Sequence, residues 1–121
     1  MQKILVVDDE PSIRLLIQTA LSTFGYEVFL ASNGAEALDV AKKNPVDLII
    51  TDVKMPIMDG HEFIKILKSS NELSNIPILL LTAVGVEPMT AAGLPDDYLF
   101  KPFRLSELQS KVGKWLSGKG K

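Results

Sequence analysis

Several short aliphatic runs in this sequence end in groups that could do chemistry together. Ile4-Leu5-Val6-Val7 leads into Asp8-Asp9-Glu10, and Asp47-Leu48-Ile49-Ile50 leads into Thr51-Asp52. Two more runs end in a hydroxyl, Leu81-Thr82, and in an ammonium, Phe100-Lys101-Pro102. If these runs are strands finishing at one edge of one sheet, three carboxylates, a hydroxyl and a lysine converge. Carboxylates gathered this way repel: two unit charges 4 Å apart cost about 4 kcal/mol at an effective dielectric of about 20. A cation must relieve that repulsion, or a proton must be shared. Oxygen donors without cysteine or a nearby histidine select a hard ion, Mg²⁺ over Zn²⁺. An ion held by one or two carboxylates and several waters keeps positions open for phosphoryl oxygens, and Lys101 would add positive charge from the far side.

Each residue alone has a plainer explanation. An isolated Asp at a strand end is ordinarily a turn former or the N-cap of the next helix. Thr82 alone reads as a satisfied hydroxyl, and Lys101 alone as a surface lysine. The combination is what points to a site, because four strand ends deliver complementary groups to one place.

The elements that must position these groups are legible in the hydrophobic pattern. Ile4–Val7, Asp47–Thr51 and Ile78–Leu81 are continuous aliphatic runs, as a parallel sheet covered on both faces requires. Glu27-Val28-Phe29-Leu30 and Asp97-Tyr98-Leu99-Phe100 are more mixed and suit the sheet edges. Between them, Ile13, Leu16, Ile17, Ala20, Leu21 and Phe24 recur at helical steps after Pro11, and Gly25 is placed to stop that helix. Asn33 with Glu36, and Asp59 with Glu62, read as capping boxes, the first opening a helix to about Lys43. A last helix carries Leu105, Leu108, Val112 and Trp115 on one stripe. The βαβαβαβαβα order calls for an α/β fold with right-handed crossovers. The expectation is a flavodoxin-like, doubly wound five-stranded parallel sheet, order 2-1-3-4-5, with five helices.

Composition bounds the rest. With 121 residues, 46% of them apolar, the chain is expected to form one domain over 1–121. It contains no cysteine and no apolar run long enough to span a membrane, and its acidic amino-terminal region does not read as a signal peptide. A cytoplasmic protein without membrane insertion is expected. The net charge of −2 disfavours direct nucleic-acid binding. The basic Lys114–Lys121 tail reads as a solvated end.

These residues together resemble the receiver domains of two-component response regulators. The matching pieces are Ile4–Glu10, Asp47–Pro56 with Met58-Asp59-Gly60, Pro77–Ala83 and Asp97–Phe103, in the family's order and across nearly the whole chain. The resemblance implies that Asp52 is the phosphoacceptor. It implies that Asp9 and Asp52 ligate Mg²⁺ (Mn²⁺ a substitute), with Asp8 nearby or acting through water and the Lys54 backbone carbonyl as a further ligand. Thr82 would bond one phosphoryl oxygen and Lys101 another, and the Lys101-Pro102 bond is expected to be cis. Phosphorylation would draw Thr82 inward and let Tyr98 rotate. The implied partners are a sensor histidine kinase or histidine phosphotransfer protein and a downstream effector. The protein would be a switch and not an enzyme, beyond assisting its own phosphorylation and dephosphorylation. No base is needed for the transfer, since a carboxylate is ionised at neutral pH. His61, after the Met-Asp-Gly turn, reads as an exposed residue at a helix start.

Two departures stand out. Lys54, two positions after Asp52, lies where family members vary and tune loss of phosphate, so a long-lived aspartyl phosphate is expected. The stretch from Ala83 to Asp96 is short and holds Gly85, Pro88, Gly93 and Pro95, leaving room for about two turns near Met89–Ala92. A stand-alone receiver that acts by docking to a partner is expected, although a receiver excised from a longer regulator would look identical here. Two other functions compete. A phosphohydrolase of the haloacid-dehalogenase type needs a second acid where Lys54 stands, and a phosphate-independent receiver-like binding module sits poorly with the intact Asp8, Asp9, Asp52, Thr82 and Lys101.

Overall fold

Runs such as Ile78-Leu79-Leu80-Leu81 have no polar side to offer water, so both of their faces must be covered. In the computed structural model, which describes residues 1–83 and 95–119, every such run is a central strand. These are β1 (Lys3–Val7), β3 (Leu48–Asp52) and β4 (Ile78–Ala83). With β2 (Glu27–Ala31) and β5 (Asp97–Lys101) they form one sheet of order β2-β1-β3-β4-β5, parallel at every pairing. The expected strand order is the one found, with the two mixed runs at the edges.

Alternate side chains along each strand go to opposite faces. Leu5, Val7, Ile49 and Leu80 pack with Ala37 of α2 (Gly34–Lys43) and with Phe63 and Leu67 of α3 (Gly60–Ser69). Ile4, Val6, Ile50, Leu79 and Leu81 pack with Ile17 and Leu21 of α1 (Pro11–Thr23) and with Leu108 and Val112 of α4 (Leu105–Lys119). Each fully buried leucine or isoleucine contributes about 1.5–3 kcal/mol. The sheet is therefore clamped between two helix pairs, and its carboxyl-terminal edge is free to build a site.

Local chemistry sets the helix ends. Pro11 occupies the first turn of α1, and Gly25 ends it with φ +96°, which its missing Cβ permits. Asn33 caps α2 by accepting from the Glu36 N–H at 2.9 Å. Glu36 reaches back one residue further than a standard capping box, to the N–H and hydroxyl of Ser32 at 2.5 and 2.8 Å. Asp59 caps α3 by accepting from the Glu62 N–H at 2.9 Å. On α4 the buried stripe is Leu108, Val112 and Leu116; Leu105, expected on it, is exposed, and Trp115 is half-buried. Leu105 is the first residue of α4, where the helix has barely met the sheet. The described residues contain four helices, and the expected short helix near Met89–Ala92 lies outside them.

Candidate functional site

The register brings the reactive strand ends together. Val7 pairs with Thr51, Asp52 with Leu81, and Ala83 with Lys101, so β1, β3, β4 and β5 finish at one edge. There, carboxylate oxygens of Asp8, Asp9 and Asp52 all lie within 4.8 Å of one another. Lys101 Nζ closes the group from β5, 3.2 Å from Asp52 Oδ2 and 3.4 Å from Asp8 Oδ2. The convergence expected from the sequence is present.

The three carboxylates are not equivalent. Asp8 is fully buried; its Oδ1 accepts from the Glu10 N–H at 3.0 Å. Burial pushes its carboxyl above the usual range, the Asp52 charge adds to this, and the Glu10 bond and Lys101 work against it. Asp52 is half-buried and accepts from the Val53 N–H at 2.8 Å. Asp9 is exposed. Lys101 also feels burial, which disfavours its charge, but Asp52 and Asp8 outweigh burial and raise its pKa, so it remains an ammonium.

Beside Asp52 is a cavity of about 200 Å³ lined by Asp52, Val53, Lys54, Thr82, Ala83 and Lys101. Thr82 Oγ1 is buried there and has no hydrogen-bond partner among the described residues. An unpaired buried hydroxyl costs about 1–3 kcal/mol, so an oxygen-rich ligand seated between Thr82 and Lys101 would be stabilised by both. Three carboxylates with oxygen donors only suit a hard divalent cation. The residues present therefore fit both an ion and a phosphoryl group.

Backbone packing holds Asp52 in place. The Thr51 hydroxyl donates to the Asp52 carbonyl oxygen at 3.0 Å, and the Gly60 N–H donates to the Val53 carbonyl oxygen at 2.7 Å. A Cβ at Gly60 would overlap the Asp52 carbonyl oxygen, so the start of α3 can seat against β3 only as glycine. The loop between them contains a γ-turn: Met58 N–H donates to the Pro56 carbonyl oxygen at 2.7 Å, and Ile57 takes φ +69° while 82% exposed. The Lys101-Pro102 bond is cis, as expected.

Two expected residues stand apart from the polar group. Tyr98 is half-buried against the core that holds Phe63 and Leu80, three positions before Lys101 on β5. His61, expected to be exposed, is half-buried, and its Nε2 has no partner among the described residues. The first turn of α3 carries it inward beside Gly60, whose tight seating draws that turn onto the sheet. Sequence reading missed Arg14, whose Nη1 donates to the Asp8 carbonyl oxygen at 2.6 Å. The acceptor is a main-chain atom, so the sequence carried no side-chain pattern that signalled the contact.

Comparison with known proteins agrees with this geometry. The family model of the response regulator receiver domain matches residues 4–113. A probable transcriptional regulator, ycf27, of Porphyra purpurea is 44% identical over 114 residues, covering 92% of this chain and 46% of its own length. The Vibrio cholerae chemotaxis protein CheY4 superposes with a TM-score of 0.86 at 38% identity, covering 95% of this chain and 98% of that one. The receiver domain of the Pseudomonas aeruginosa sensor histidine kinase PA1611 superposes with a TM-score of 0.88 at 32% identity, covering 96% and 98%. That structure has a magnesium ion coordinated in its active-site cleft. The chain belongs to the response regulator receiver domain family. Receiver domains are regulatory switches of two-component signalling and not classical enzymes. The chain spans about half the length of the first curated relatives it matches. No helix among the described residues is long and apolar enough to cross a membrane.

Proposed function

We propose that this chain, as one receiver domain over residues 1–121, accepts a phosphoryl group on Asp52 from a phosphohistidine of a separate protein. The observation that carries the reading is the meeting of Asp8, Asp9 and Asp52 within 4.8 Å, with Lys101 3.2 Å from Asp52 and the nearby Thr82 hydroxyl without a partner among the described residues. An Asp52 carboxylate oxygen attacks phosphorus, and the bond from phosphorus to the donor imidazole nitrogen breaks. The electron pair leaves with that nitrogen. Lys101 neutralises one phosphoryl oxygen, and Thr82 donates its hydroxyl to another. Asp9, Asp52 and the Lys54 carbonyl would hold Mg²⁺, with Asp8 beside it. The bound ion supplies charge neutralisation and alignment for the transfer.

The phosphate adds about 1.5–2 negative charges. Its pull on Thr82 opens space that Tyr98 fills, altering the surface around β5 that a downstream effector reads. Donor and effector are a sensor histidine kinase or phosphotransfer protein and a partner protein, in the cytoplasm. The test is intact mass after incubation with acetyl phosphate and Mg²⁺. One phosphate adduct, absent in Asp52→Asn, is expected. No adduct in the unaltered protein leaves only a phosphate-independent binding module.

A further inference from the structure

Arg14 sits where its own helix disfavours it. It belongs to the first turn of α1, whose exposed N–H groups give that end a partial positive charge, and no acidic residue shares the turn. Its guanidinium is instead spent on a backbone atom of the acidic cluster, the Asp8 carbonyl oxygen, at 2.6 Å. Asp8 is held at every polar group. Its N–H donates to the Ala31 carbonyl oxygen at 3.1 Å, Oδ1 accepts from the Glu10 N–H at 3.0 Å, and Oδ2 accepts from Lys101 at 3.4 Å. Asp9 is the opposite case: exposed, and without a hydrogen-bond partner for its carboxylate among the described residues. Only the backbone can aim it.

We propose that Arg14 is a positioning residue that fixes the peptide plane between Asp8 and Asp9 and so aims the Asp9 carboxylate at a cation shared with Asp52. The peptide carbonyl and the next N–H are coplanar, so turning the Asp8 carbonyl re-aims Asp9. The Arg14 charge also reaches Glu36 at the start of α2, whose carboxyl is lowered chiefly by its bonds from the Ser32 N–H and hydroxyl and further by that charge.

The inference rests on the reading of Asp9 as a metal ligand, and the experiment separates the two. Mg²⁺ is titrated into the unaltered protein, Arg14→Met and Arg14→Lys, with affinity read from amide shifts of residues 8, 9 and 52 and melting read without Mg²⁺. Loss of an outer residue that orients a ligand weakens metal binding by about tenfold or more. Arg14→Met is therefore expected to weaken Mg²⁺ binding about tenfold, and Arg14→Lys, which keeps a charged donor, to restore most of it. A bystander cation would act in the other direction, since removing positive charge beside carboxylates tightens Mg²⁺ binding. Unchanged or tighter binding in Arg14→Met overturns the proposal, even with a lowered melting temperature. If Arg14→Met does not fold, the same titration on Arg14→Gln replaces it, and unchanged or tighter Mg²⁺ binding there overturns the proposal. Absence of any Mg²⁺ response in the unaltered protein would sink the proposed function itself.

Discussion

Asp97 opens β5 and is tied to α4 more densely than any surface carboxylate needs. Its side chain is 12% exposed and accepts from Lys111 Nζ and Trp115 Nε1, each at 2.8 Å, and from the Tyr98 N–H at 2.8 Å. Lys114 Nζ lies 3.6 Å away. Burial alone would raise its pKa, but the Lys111, Trp115 and Tyr98 bonds outweigh burial and hold the carboxyl down at about 2, against 3.8 for a free aspartate. A depressed carboxyl stabilises the fold fully above its unfolded pKa, and the contribution disappears as pH falls through the folded value. From these two pKa values, Asp97 contributes about 2 kcal/mol at neutral pH. Asp97→Asn should therefore lower the unfolding free energy at pH 7 by about 2 kcal/mol. The gap to the unaltered protein should narrow between pH 4 and pH 2. Urea melts at several pH values, followed by far-UV circular dichroism and by the single tryptophan, measure this directly. Taking the difference cancels Asp8, whose raised pKa acts with the opposite sign, and Glu36, common to both proteins. A gap that stays constant from pH 7 to pH 2 would show that the charge of Asp97 contributes nothing to stability.

Further outcomes follow from the loops and the switch pair. Ile57→Gly should raise stability by about 0.5–1 kcal/mol in urea melts, because removing a left-handed β-branched residue relieves about 1–2 kcal/mol and glycine returns part of it as entropy; lower stability would mean Ile57 is not strained. Lys54→Asn should speed loss of phosphate from Asp52 several-fold, timed by intact mass, if the long cationic side chain screens the phosphoryl group from water; an unchanged rate refutes this. Beryllofluoride should shift the amide signals around Thr82 and Tyr98 together, and a silent Tyr98 would break the proposed coupling.

Much of the fold could be read from residue types because the forces involved are local or periodic. Unbroken aliphatic runs mark the central strands, and the mixed runs at Glu27 and Asp97 mark the edges. Asn33 and Asp59 announce helix starts because short polar side chains bond their own backbone. The acidic site was legible for a related reason: in parallel strands, residues at run ends share an edge whatever the loops do. What stayed hidden depends on three-dimensional register. Arg14 bonds a main-chain carbonyl, which no side-chain pattern records. Trp115 and Lys111 reach Asp97 from a helix whose rotation alone decides the contact, and Leu105, on the buried stripe by its spacing, stays exposed because it is the first residue of that helix. Ile57 adopts φ +69° although its residue type argues against it, because the seating of Gly60 on β3 constrains the loop between them.

Mn²⁺, a paramagnetic stand-in for Mg²⁺, offers the most direct test of the acidic pocket. Added in trace amounts, it should selectively broaden the amide signals of residues 8, 9, 52 and 53, and excess Mg²⁺ should restore them. Broadening spread evenly over surface acids such as Glu72 and Glu107, with those four signals spared, would contradict a single divalent-ion site at the strand ends.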